Sequence, residues 1–141
     1  MARSSMSDES REWLDYAEEN LQAAQVLILE RLYNPSLQNP QQAVEKALKA
    51  LLVQVGIPVK RTHSIQHLVN LLAPKVGTIP LSEEDCELLD SIYLPSKYPL
   101  GGVLPDFEPD RTLSEKCLAL SQSVVEFARE RIEKAHEGTD E

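Results

Sequence analysis

Apolar residues recur along this chain at steps of three and four, and no segment sustains a period of two. That periodicity predicts helices and no sheet. Trp13, Ala17, Leu21, Ala24, Ile28 and Leu32 form the first stripe. Its helix is expected to open near Ser7, with Asp8, Glu9 and Glu12 complementing the helix dipole. It should end near Tyr33, where Asn34 and Pro35 break the pattern. The second helix is predicted from a cap at Asn39, with Pro40 at the first helical position and Gln42 as a capping-box partner. Ala43, Ala47, Leu48, Leu51, Leu52 and Val55 give it a wide apolar face, and Gly56 and Pro58 close it. Gln42, Lys46 and Lys49 lie on the opposite stripe.

The third helix opens at Thr62 or Ser64 and carries Ile65, Leu68 and Leu72 as far as Pro74. The fourth follows Ser82, with Asp85 at the capping-box position and Leu88, Leu89 and Ile92 facing inward. It runs into the proline-spaced segment Tyr93-Leu94-Pro95-Ser96-Lys97-Tyr98-Pro99, and residues 101–109 read as an irregular surface loop. Thr112 and Glu115 form a capping box for the fifth helix, whose stripe is Cys117, Leu120, Val124, Ala128 and Ile132. Short connections between amphipathic helices predict antiparallel neighbours. The expected fold is all-α: an up-and-down bundle of four to five antiparallel helices. It forms a single domain over residues 1–141, with a core of about 7–136 and short disordered termini.

Length and composition narrow the function classes. A chain of 141 residues has room for one core and needs no covalent staples. Cys86 and Cys117 stand apart without paired spacing, which predicts reduced thiols and no zinc site. The N-terminus has no apolar stretch of the kind a leader carries, and no run approaches ~20 apolar residues, so a cytoplasmic, membrane-free protein is expected. A net charge of −9 argues against broad electrostatic binding of nucleic acid. The charge is uneven, however. Glu83, Glu84, Asp85, Glu87 and Asp90 form an acidic run, whereas Lys46, Lys49, Lys60 and Arg61 face only Glu45 over residues 45–63.

Candidate chemistry is therefore sought on that basic stretch. The amides opening the third helix would add positive potential beside Arg61 and His63. An anion or nucleotide site is expected to use Lys46, Lys49, Arg61 and His63, with Lys97 and Tyr98 contributing from the stiff loop. His63 and His67 have metal-ligand spacing but lack a third nearby ligand, so neither a metal nor a cofactor is expected. No Gly-x-Ser-x-Gly elbow and no Gly-rich phosphate loop are present.

Three segments, in order, resemble the HEPN family (higher eukaryotes and prokaryotes nucleotide-binding domain). They are the opening helix with Trp13, Ala17, Leu21 and Ala24, and the run from Gln41 to Leu52 continuing to Thr62-His63-Ser64-Ile65 and Leu68. The third is Tyr93-Leu94-Pro95-Ser96-Lys97-Tyr98-Pro99, similar to the family's tyrosine–arginine–tyrosine–proline loop. The resemblance spans roughly residues 10–135. It implies a four- to five-helix bundle, a homodimer, and a small nucleotidyltransferase as partner in a toxin–antitoxin-like pair. Ribonuclease members share an Arg, four to six spacers and a His. The His serves as acid or base at the 2′-hydroxyl and the Arg stabilises phosphate charge. Arg61 with His67, Arg131 with His136, and Arg129 with His136 have that spacing here.

Three readings follow. The first is a nucleotide- or RNA-binding homodimer that partners a nucleotidyltransferase. The second is a metal-independent ribonuclease toxin using an Arg/His pair, and the third is a non-catalytic dimeric scaffold.

Overall fold

A computed structural model describes the backbone over residues 2–59, 61–97 and 109–139, and the side chains over 8–59, 61–93 and 109–135. Five helices make up the described chain, and no strand occurs among the described residues: α1 (Ala2–Leu29), α2 (Tyr33–Val55), α3 (Ile65–Val76), α4 (Glu83–Lys97) and α5 (Arg111–Thr139). No described helix is long and apolar enough to cross a membrane.

The α1–α2 connection differs from the expected one. Helix α1 stops at Leu29, and α2 begins at Tyr33 rather than after Asn39. The reversal is a Schellman turn: the Leu32 amide donates to the Leu27 carbonyl at 2.8 Å and the Arg31 amide to Ile28 at 3.0 Å. Arg31 takes the left-handed position usually given to glycine, with φ 60°. Pro35 falls in the first turn of α2, where a missing N–H removes no helical bond. Pro40 sits inside the helix. A proline there forfeits one backbone bond, and tertiary burial of Leu37 and Pro40 holds the segment helical nonetheless.

Other boundaries shift for equally local reasons. Helix α1 extends back to Ala2, beyond the expected cap at Ser7. Helix α3 runs through Pro74 to Val76 before Gly77. Helix α5 is capped by Asp110, which accepts from the Leu113 amide at 2.8 Å, rather than by Thr112. The other expected caps are present. Gly56 adopts φ 78° and ends α2. Ser64 accepts from the His67 amide. Ser82 and Asp85 exchange two 3.0 Å bonds in a reciprocal capping box.

Helix α2 is the axis of the molecule. Ala43, Val44, Ala47, Leu48, Ala50, Leu51 and Leu52 are fully buried, covering more than one face of the helix. On one flank it packs against α1 and α5, and on the other against the α3–α4 pair. A helix apolar on several sides has to be enclosed by neighbours. Cys86 and Cys117 lie in the same core as free thiols. Two polar ties cross it. Ser36 and Ser114 share a buried 2.7 Å hydroxyl bond between α2 and α5. Arg131 reaches from α5 to the Val76 carbonyl at 3.0 Å with its guanidinium over the Phe127 ring.

Candidate functional site

The polar side of α2 turns towards α1 at one position and towards α3 at another. Lys46 donates to Asn20 Oδ1 at 2.8 Å, and its ammonium stands 5.8 Å from the centre of the Tyr16 ring. One turn on, Lys49 lies 5.6 Å from the Trp13 ring. Two lysines are thus interleaved with two aromatic rings on the α1–α2 face, with Tyr16 more than half exposed. Burial pushes the Lys46 pKa down from its ordinary value, and the Glu45 and Glu19 carboxylates oppose that shift.

Glu45 is buried, its side chain 9% exposed. It is answered from two sides. Lys49 approaches to 3.9 Å, and His63 Nδ1 comes within 2.5 Å. An ionised carboxylate can only accept, so Nδ1 is the donor in this bond. The imidazole is fixed on its other side by Tyr93, whose ring stacks on it at 4.4 Å with 17° between the planes. His63, Ser64, Asp90 and Tyr93 line a shallow cavity of about 330 Å³.

Asp90, from α4, occupies the position where the sequence suggested that an external anion would bind. Its carboxylate accepts from the Ile65 amide at 2.6 Å, the Ser64 hydroxyl at 3.2 Å and, at long range, the Gln66 amide at 3.5 Å. The positive end of α3 is therefore met from within the fold.

Of the expected ligand-binding residues, Lys46 and Lys49 come together against α1, His63 joins Glu45 and Tyr93, and Arg61 is exposed just before His63. The side chain of Lys97 and all of Tyr98 lie outside the described residues, as does Lys60. Among the Arg/His pairs, Arg61 and His67 are both exposed at the start of α3, and no hydrogen bond joins them among the described residues. Arg131 is committed to Val76, and the side chain of His136 lies outside the described residues. No group of three or more potential metal ligands gathers among the described residues.

Sequence reasoning did not single out Glu45, Asp90, Tyr16 or Asn20 as participants. One signal was available for Glu45. It falls four residues after Gln41, between Val44 and Ala47 on an otherwise buried helix, and a buried acid needs a partner. Asp90 carried no comparable signal, since its role depends on how α4 packs against α3.

The HEPN domain family model matches residues 10–132. Among solved structures, TT1696 from Thermus thermophilus is similar at 32% identity and a TM-score of 0.74, over 87% of this chain and 98% of that one. ST0689, described as an archaeal HEPN homologue, is similar at 26% identity and a TM-score of 0.69, over 88% of this chain and 98% of the other. No curated protein matches the sequence significantly.

Proposed function

Because the chain belongs to the HEPN family, we propose that it is a nucleotide- or RNA-binding protein that acts as a homodimer and partners a small nucleotidyltransferase in a toxin–antitoxin-like pair. The observation that carries the binding part is the lysine–aromatic face of α1 and α2. Lys46 and Lys49 stand beside the Tyr16 and Trp13 rings, the combination that lets a protein hold a phosphate and stack a base together. In this reading Arg61 and His63, with Lys97 and Tyr98, complete the proposed ligand set. The acidic remainder of the molecule confines nucleic acid to this face by repulsion.

Self-association has its own support. Val26, Leu29 and Leu32 are exposed around the α1–α2 turn, Leu29 by 77%. Large exposed apolar side chains grouped in this way mark contact surfaces. Sedimentation at micromolar concentration should give a dimer, and Leu29→Glu should shift it to monomer.

The binding reading is tested by titrating nucleotides and short RNAs into the wild type and a Lys46→Ala/Arg61→Ala double variant. Wild-type affinity should fall steeply with salt, and the variant should bind weakly. Equal binding by both proteins, or binding indifferent to salt, would remove this face as the site. Cleavage of the RNA during the titration would favour the ribonuclease reading instead.

A further inference from the structure

Lys46 stands at the end of a chain of hydrogen bonds that ties α1 to α2. Asn39 Nδ2 donates to the Pro35 carbonyl at 3.1 Å, Asn20 Nδ2 to Asn39 Oδ1 at 2.9 Å, and Lys46 Nζ to Asn20 Oδ1 at 2.8 Å. The two ends fix the direction of the chain. A backbone carbonyl only accepts, and an ammonium only donates. The two amides between them satisfy every bond in one orientation alone, and turning either one over breaks two bonds. All three side chains are half-buried, where water replaces a lost partner only in part.

A lysine ammonium on its flexible stem is ordinarily a mobile charge. Here it is held at one place, 5.8 Å from the centre of the Tyr16 ring. The charged groups that act on it are Glu45, Glu19 and Lys49. Glu45 is engaged by His63 and Lys49, Glu19 is exposed, and among the described residues no carboxylate forms an ion pair with Lys46. Its remaining N–H groups are therefore left for a ligand. The chain also decides what kind of group they meet. Asn20 Oδ1 is already used and cannot exchange places with Nδ2, so Lys46 and Asn20 offer donors only. A base amino group finds no acceptor on either residue, whereas a phosphoryl oxygen meets donors and a positive charge together.

We propose that Asn20, held in turn by Asn39, is the positioning residue for Lys46, and that the ammonium so placed takes the phosphoryl group of the ligand while the Tyr16 ring takes its base. This rests on the nucleotide-binding reading and adds to it which residues preset the site and which part of the ligand each one meets. Presetting matters because ordering one long side chain on binding otherwise opposes affinity. Neither asparagine touches the ligand through a charge of its own. Their contribution passes through Lys46.

The test titrates adenosine 5′-monophosphate and adenosine into the full chain by calorimetry at low salt. Asn20→Ala should weaken binding of the monophosphate roughly 2- to 13-fold, the effect of leaving one long side chain to be ordered by the ligand, and should leave adenosine binding unchanged. No charge is removed, so the dependence of affinity on salt should keep its slope. In a Lys46→Ala background the Asn20→Ala change should have no further effect, which a merely structural contribution would not produce. Asn20→Asp keeps an acceptor for Lys46 but sets a carboxylate beside the phosphate, and should weaken monophosphate binding more than Asn20→Ala. Asn39→Ala keeps the Asn20–Lys46 bond and releases its orientation, so it should give a smaller loss of the same kind and serves if Asn20→Ala does not fold. Unchanged monophosphate binding by Asn20→Ala, or by Asn39→Ala where that variant stands in, would overturn the proposal. So would losses that add to that of Lys46→Ala, an equal loss for adenosine, or wild-type affinity in Asn20→Asp. Undiminished binding by Asn20→Ala alongside weak binding by Lys46→Ala/Arg61→Ala overturns this proposal alone. A wild type that binds neither the monophosphate nor a short RNA overturns the nucleotide reading and this proposal with it.

Discussion

Replacing Asp90 with Ala removes the group that ties α4 to the first turn of α3. The Ile65 amide at 2.6 Å and the Ser64 hydroxyl at 3.2 Å lose an ionised acceptor, and the 3.5 Å contact with Gln66 adds little. Hydrogen bonds to charged groups contribute about 1.5–3 kcal/mol each. Ser64 still accepts from the His67 amide, and Asp90 is only half-buried, so water recovers part of the loss. The net cost should be about 2–4 kcal/mol. For a chain of this length each kcal/mol moves the melting temperature by about 2–4 °C, so thermal unfolding followed by circular dichroism should shift down by roughly 4–16 °C. Asp90→Asn keeps an acceptor of the same shape and loses the charge, and should fall between the two. A variant Asp90→Ala within about 0.5 kcal/mol of the wild type in urea unfolding would refute the assignment of Asp90 as the clasp between α3 and α4. An Asn variant as unstable as the Ala variant would show that the charge, rather than the hydrogen-bond geometry, is responsible.

Leu48 is fully buried on the innermost stripe of α2, and Leu48→Ala should lower stability by about 2–5 kcal/mol in urea unfolding. Arg31→Gly should raise stability by about 0.5–1 kcal/mol, read as a higher denaturation midpoint, because Arg31 holds a left-handed φ of 60°. Burial raises the Cys86 thiol from 9.0 to about 11 and the Cys117 thiol from 9.0 to about 12. Above pH 9 the unfolded chain therefore releases thiol protons that the native state keeps, and stability should fall as pH rises from there. The lowered Lys46 pKa acts with opposite sign below 10.5 and offsets part of this fall. The Cys86→Ala/Cys117→Ala variant should flatten the alkaline decline measured by urea unfolding across roughly pH 8–11.

The period of the apolar residues is a local property, and it was enough to identify five helices, the inward face of α2 and the helix ends set by Gly56, Ser64 and Ser82. Prolines misled where packing outweighed them. Pro35 and Pro40 read as a break and a start, yet both sit within α2, because burying Leu37 and Pro40 itself outweighs one lost backbone bond. The basic stretch over Lys46, Lys49, Arg61 and His63 was visible in the sequence as an excess of charge. What each residue faces was not. Lys46 and Lys49 turn towards Asn20 and Trp13 on the preceding helix, and His63 turns towards Glu45 and Tyr93. Asp90 is the clearest case of a role set by tertiary structure. In the sequence it ends a run of acids on a surface helix, and the packing of α4 against α3 makes it the cap of a helix that begins 25 residues before it. Helical periodicity specifies which side of a helix is apolar. The partner a charged side chain meets depends on the angle and register at which two helices pack, and no single segment encodes these.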